Sequence, residues 1–189
     1  GDHTWAREIH GGLSFFPLDG GSFEQLFNCA EIAQDQARQE GPGRILQFSE
    51  EMVRESRNTL KLHQEIYNAL NEGQFRLVFQ PEFNVLTQEV FRFEALMRWN
   101  HPEKGEVSPA TFIPVAEHFG SILDLGDFLF QELLRLESEW KSRLGRTLPI
   151  AINLSPAQFR DPHLEQKIGA LLEEFQDDEP FLELEVTET

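Results

Sequence analysis

The chain is poor in sulfur and in positive charge. Its 189 residues include one cysteine, Cys29, and two methionines. A single thiol excludes an intramolecular disulfide framework and any zinc site built on several thiolates. It fits a reducing, cytoplasmic compartment. Lys and Arg number 16 against 33 Asp and Glu, for a formal charge of −17. That balance argues against a DNA or RNA clamp, which needs clustered basic side chains to displace counterions. It argues equally against an anionic membrane surface as partner. No apolar run approaches the roughly 20 residues of a membrane span, and no basic-then-apolar leader opens the sequence. P-loop, G-x-G-x-x-G and G-x-S-x-G patterns are missing. Six histidines (His3, His10, His63, His101, His118, His163) show no H-E-x-x-H spacing.

What remains is an ordinary globular composition, 40% hydrophobic and 26% charged, with enough apolar sequence for a real core. The first zone, residues 1–48, offers a strand at Leu13–Phe16, a turn over Pro17–Gly21 and a helix from Ser22 to about Gln39. Glu40-Gly41-Pro42-Gly43 breaks that helix, and Arg44–Phe48 reads as a short strand. Ser49 caps a long helix that stops at Gly73, so residues 49–73 read as a connecting helix. From Gln74 to Thr189 strands and helices alternate. Phe75–Phe79 and Glu89–Trp99 are strands, and Ser108-Pro109 starts a helix ending near Gly120. Helix Ile122–Arg143, strand Leu148–Leu154, helix Asp161–Phe175 and strand Phe181–Thr187 follow. This order predicts an α/β fold with a mostly parallel sheet or barrel. The chain stops just past a strand with no closing helix, so the expectation is a fragment of a longer protein at both ends.

Side chains alternate along a strand, which assigns faces. In Phe91–Trp99 the apolar face is Phe91, Phe93, Ala95, Met97 and Trp99. The opposite face carries Arg92, Glu94, Leu96 and Arg98. In Ile150–Ser155, Asn153 and Ser155 oppose the isoleucines and Leu154. In Phe181–Thr187, Glu183, Glu185 and Thr187 oppose Leu182, Leu184 and Val186. Each strand thus puts an oxygen donor near its C-terminal end, where sites gather in parallel α/β folds: Glu94, Asn153 and Glu185. Two carboxylates and an amide oxygen suit Mg²⁺ or Mn²⁺, or Ca²⁺, better than zinc or copper. Arg98 shares the face of Glu94, about 13 Å further along an ideal strand, where it could grip a phosphate. Taken singly, each has a plain structural reading. A strand Glu is more often solvated than a ligand, Asn153 with Ser155 could start a turn or cap a helix, Arg98 could stack on Trp99, and Glu183 reads as a surface residue.

The same residues resemble a known family. Glu94-Ala95-Leu96, within Phe93–Trp99, resembles the signature of EAL domains, which hydrolyse the bacterial second messenger cyclic di-GMP. Phe79-Gln80-Pro81, Ser108–Glu117, Asn153-Leu154-Ser155 and Leu184-Glu185-Val186-Thr187-Glu188 look like further motifs of that family, in order over 74–189. The resemblance implies a TIM-like (β/α)8 barrel, its first half present here, with the first strand antiparallel to the rest. It implies that Glu94, Asn153 and Glu185 bind Mg²⁺ or Mn²⁺, with Glu94 and Glu185 catalytic. Arg98 would hold a substrate phosphate, Gln80 would contact the nucleotide, and Glu188 would brace a substrate-binding loop. The reaction implied is metal-assisted hydrolysis to linear pGpG; a non-catalytic cyclic di-GMP receptor or signalling scaffold is the alternative. The family's Asp-Asp-Phe-Gly strand, catalytic Lys and later Glu and Gln have no counterpart within these residues, so the chain alone is expected to be an inactive part of its parent. A homodimer, formed through parts of the barrel beyond residue 189, is also implied. Residues 11–50 resemble the last part of a GGDEF (diguanylate cyclase) domain, without its catalytic loop. The organisation expected is therefore 1–48 GGDEF-like, 49–73 connecting helix and 74–189 EAL.

Overall fold

The computed structural model describes residues 9–144, 149–174 and 182–186. The chain divides into two compact units, Gly1–Lys61 and Leu62–Thr189. In the first unit, strands β1 (Gly11–Leu13) and β2 (Ile45–Gln47) pair in parallel, and helix α1 (Phe23–Gln39) connects them. Ser22 caps α1 by accepting a hydrogen bond from the Gln25 amide at 3.3 Å. Ala33 and Ala37 are its buried positions. Gly12 lets α1 approach, since a Cβ there would fall 1.8 Å from the Ala30 carbonyl oxygen. The strand expected over Leu13–Phe16 ends at Leu13. Beyond it Asp19 closes a turn, its carboxylate accepting from the Phe15 amide at 2.7 Å while its own amide donates to the Phe15 carbonyl at 2.8 Å. These local bonds outcompete the extended conformation that the aromatic pair favours.

Helix α2 (Glu50–Asn71) follows, and Gly73 takes the left-handed φ of 66° just after its end. In the second unit, β3 (Phe75–Phe83) and β4 (Val90–His101) form an antiparallel hairpin. A short β5 (Gly105–Val107), absent from the sequence reading, pairs back onto β4. Helices α3 (Pro109–Phe119) and α4 (Ile122–Leu144) lead to β6 (Ile150–Leu154). A 3₁₀ turn over Pro156–Arg160, helix α5 (Leu164–Glu174) and β7 (Leu182–Val186) complete the described chain. The sheet order is β3-β4-β6-β7, with β4, β6 and β7 parallel and β3 antiparallel to β4. β3 runs four residues past the expected Phe79 because it is an edge strand among the described elements, where Pro81 needs no partner for its missing N–H. The helix expected from Asp161 starts later, at Leu164; Phe175 lies outside the described residues.

The apolar strand faces bury around Ala95, Trp99 and β6, whereas Phe91 of β4 and Leu184 and Val186 of β7, assigned to the same faces, stay exposed. Ala95, Ile150, Ile152 and Leu154 pack with Leu129, Phe130, Leu133 and Leu171 from α4 and α5. Phe75 and Trp99 pack with Phe112 and Ala116 of α3 and with Ile66 and Ala69 of α2. Trp99 is fully buried and donates its indole N–H to Gln74 Oε1 at 3.0 Å, so it is a core residue rather than a surface partner for Arg98. This packing fixes which face of the sheet is left for polar side chains. No helix among the described residues is long and apolar enough to cross a membrane.

Candidate functional site

The polar face of the sheet assembles from the register. Gln80 of β3 is the Cα partner of Glu94 on β4; Glu94 pairs with Ala151 on β6; Asn153 pairs with Glu185 on β7. Partners in register project to the same face. Asn153 donates its amide N–H to Glu94 Oε1 at 2.7 Å. Glu94 and Asn153 are thus in contact, and Glu185 flanks Asn153 on the next strand. Gln80 is exposed beside Glu94. Glu188 lies outside the described residues.

Arg98 sits on the same face toward the end of β4. Its Nη1 donates to the Met97 carbonyl at 3.0 Å, and its Nε lies 3.7 Å from Glu106 Oε1. Arg98 and Asn153 line one cavity of about 420 Å³ with Glu117, Ser155 and Gln158, between the strand ends and helices α3 and α4. The remaining lining is mostly apolar, including Leu96, Pro109 and Ile113.

The turn after Asn153 is held from both sides. Ser155 caps the 3₁₀ turn, its Oγ accepting from the Ala157 amide at 3.1 Å while Gln158 Oε1 accepts from the Ser155 amide at 2.9 Å. Ser155 Oγ also donates to Glu117 Oε1 at 2.5 Å, tying the end of β6 to α3. The turn or cap expected at Ser155 is thus present, and Ser-x-x-Gln is a recognisable capping box; Glu117 and Gln158 had no individual role in the sequence. Further on, Lys167 on α5 bridges Asp161, at 2.7 Å, and Asp127 on α4. The hydrogen bond from Lys167 holds the Asp161 carboxyl below its ordinary range, helped by the His163 amide.

A further residue without an assigned role emerges at the base of the face. Arg92 Nε donates to Glu82 Oε2 at 2.9 Å, Nη2 to Glu185 Oε1 at 3.1 Å, and Nη1 to Glu183. Hydrogen bonds from Arg92 to Glu183 and then Glu82 raise its pKa above the ordinary arginine value. Glu183, read as a surface residue, is half-exposed but paired. The signal was on the page of the sequence: Arg92 shares the period-2 face of Glu94. Its three partners come from 10, 91 and 93 residues away, which alternation cannot reveal.

No group of three or more His, Cys, Asp or Glu side chains arranged for a metal occurs among the described residues. Glu94 and Glu185 give this face two carboxylates, and Asn153 gives it an amide oxygen. These are hard oxygen donors of the kind magnesium and manganese take.

Chain topology defines an α/β protein whose polar sheet face carries Glu94, Asn153 and Glu185; Asn153 and Glu185 stand near the ends of β6 and β7, whereas Glu94, expected near the end of its strand, lies in the first half of the longer β4. Residues 63–189 match the family model described as the EAL domain. The chain belongs to the EAL domain family. It is 35% identical over 178 residues to the uncharacterized protein y4lL of Sinorhizobium fredii, covering 94% of this chain and 21% of that one. It is 30% identical over 178 residues to the bifunctional diguanylate cyclase/cyclic di-GMP phosphodiesterase MucR of Pseudomonas aeruginosa, covering 94% and 26%. The solved phosphodiesterase portion of a MucR in complex with c-di-GMP superposes with a TM-score of 0.60 at 30% identity, covering 68% of this chain and 52% of that one. The chain therefore spans about a fifth to a quarter of the length of these curated relatives.

Proposed function

We propose that this chain carries the cation-binding and phosphate-gripping face of a metal-dependent cyclic di-GMP phosphodiesterase that yields linear pGpG. The observation that carries the reading is the contact of Glu94 with Asn153 at 2.7 Å, with Glu185 in register beside Asn153, in a chain of the EAL family. Glu94, Glu185 and the Asn153 amide oxygen would hold Mg²⁺ or Mn²⁺. Such an ion, when bound, lowers the pKa of a water and neutralises charge developing on a phosphodiester. The chain's own residues orient the reactants. Asn153 fixes one oxygen of Glu94 and so leaves the other for the ion. Arg98, which with Asn153 lines the cavity of about 420 Å³ while Glu94 and Glu185 do not, grips a phosphate with a planar fork. Apolar side chains behind it suit a nucleobase, and the cavity is in the size range of small-molecule sites. Gln80 contacts the nucleotide from the edge strand, and Glu188 braces a substrate loop. The ion and Arg98 together offset the repulsion that a chain of net charge −17 exerts on an anionic substrate.

The domain organisation belongs to the same proposal. Residues 74–189 form part of the EAL barrel, 49–73 the connecting helix, and 1–48 the end of a GGDEF domain. Support for the last comes from the resemblance of residues 11–50 and from MucR, named for both activities, whose match covers 94% of this chain. Since the chain spans 26% of MucR, the activity is assigned to the full-length protein.

The test is a substitution series in the full-length protein, assayed with cyclic di-GMP and Mn²⁺. Glu94→Ala and Asn153→Ala should each abolish pGpG formation while the thermal melt stays near wild type. Wild-type turnover by Glu94→Ala would overturn the assignment. Binding of cyclic di-GMP without turnover in the wild type would favour the receptor.

A further inference from the structure

Arg92 is anchored by three carboxylates, and one of them is a candidate metal ligand. Its guanidinium reaches Glu82 on β3 at 2.9 Å, and Glu183 and Glu185 on β7, the last at 3.1 Å. The side chain is 20% exposed, so the cluster is partly shielded from solvent. One positive charge faces three negative ones. Among the described residues only Oε1 of Glu185 is engaged; Oε2 makes no hydrogen bond.

We propose that Arg92 is a resident cation that competes with the divalent ion for Glu185, and thereby sets the metal concentration at which the site fills. The proposal rests on the phosphodiesterase reading in one respect, that Glu185 is a metal ligand. Three physical points carry it. First, a guanidinium cannot leave by giving up its proton, unlike a lysine or histidine in the same place. It can yield Glu185 to the ion only by moving. Second, it has somewhere to stay, because Glu82 and Glu183 hold it by two other nitrogens when Glu185 turns away. Third, two cations on one carboxylate repel. A unit and a double charge about 6 Å apart weaken binding about tenfold even at the dielectric constant of bulk water. A neutral side chain at position 92 would remove that penalty and leave three carboxylates to attract the ion.

The competing expectation is that Arg92 only orients Glu185. Loss of such an outer partner usually costs about 10–100-fold in metal affinity. The two accounts therefore differ in sign. Mn²⁺ binding is measured by calorimetry on the full-length protein without nucleotide, for the wild type, Arg92→Gln and Arg92→Lys. Competition predicts that Arg92→Gln binds Mn²⁺ about tenfold more tightly, while Arg92→Lys, which keeps the charge, stays within about threefold of wild type. Equal or weaker binding by a folded Arg92→Gln overturns the proposal and leaves the phosphodiesterase reading standing. Failure of both wild type and Arg92→Gln to bind Mn²⁺ overturns the two together. A Mn²⁺-loaded crystal structure of the wild type gives a check that needs no variant. Arg92 should keep Glu82 and Glu183 and release Glu185 Oε1; an intact Arg92–Glu185 bond in the loaded site refutes competition.

Discussion

Gly126 tests whether the turn after Asn153 is held as tightly as its bonds imply. It lies in the interior of α4, where alanine is favoured over glycine by about 1 kcal/mol. Propensity alone makes Gly126→Ala stabilising. The structure opposes this, because a Cβ at Gly126 would stand 2.4 Å from Gln158 Nε2. Gln158 is 5% exposed, and its Oε1 accepts from the Ser155 amide at 2.9 Å. The amide group can retreat only by giving up that bond, which leaves a buried N–H unsatisfied at a cost of about 1–3 kcal/mol. Steric loss exceeds propensity gain, so Gly126→Ala should destabilise by about 0–2 kcal/mol. In a Gln158→Ala background the clash is gone, and the same substitution should stabilise by about 1 kcal/mol. Urea denaturation of the four proteins of this cycle gives the coupling, expected at about 1–3 kcal/mol. Additivity within about 0.5 kcal/mol would refute the argument.

Other consequences follow from the same contacts. Ile152 is fully buried in the β6 core, so Ile152→Ala should cost about 2–5 kcal/mol by denaturant midpoint; a loss below about 1 kcal/mol would mean that the core is not packed as described. Lys167 depresses the Asp161 pKa from an ordinary 3.8, so this pair stabilises the fold above that pH and loses its effect as pH falls through the lower folded value. Asp161→Asn, which keeps an acceptor for the His163 amide, should be less stable than wild type at pH 7, and the gap should close in acid. A gap in urea midpoints that persists unchanged at pH 2–3 would remove the ion pair as its source.

How much the sequence discloses depends on how local each feature is. The starts of α1 at Ser22 and α3 at Pro109, and the left-handed Gly120 that ends α3, are legible because their chemistry is contained within a few residues. The faces of β4, β6 and β7 are legible because alternation carries them, and this brings Glu94 and Asn153 together. Short pieces escape. β5 has three residues, and the Pro156–Arg160 turn is a single short 3₁₀ stretch between β6 and α5. The length of β3 escapes for another reason: Pro81 is allowed there only by an edge position, which is a property of the sheet. Arg92 shows the limit most clearly. Its face is readable, but its meaning comes from Glu82 across a hairpin and from two glutamates on β7.

The most direct measurement is turnover of cyclic di-GMP by the full-length protein, with Mg²⁺ or Mn²⁺ and with chelator, followed by chromatography. Metal-dependent appearance of pGpG, abolished by the chelator and restored by adding the ion back, is the predicted result. Absence of product at saturating metal, with or without cyclic di-GMP binding, would contradict the account.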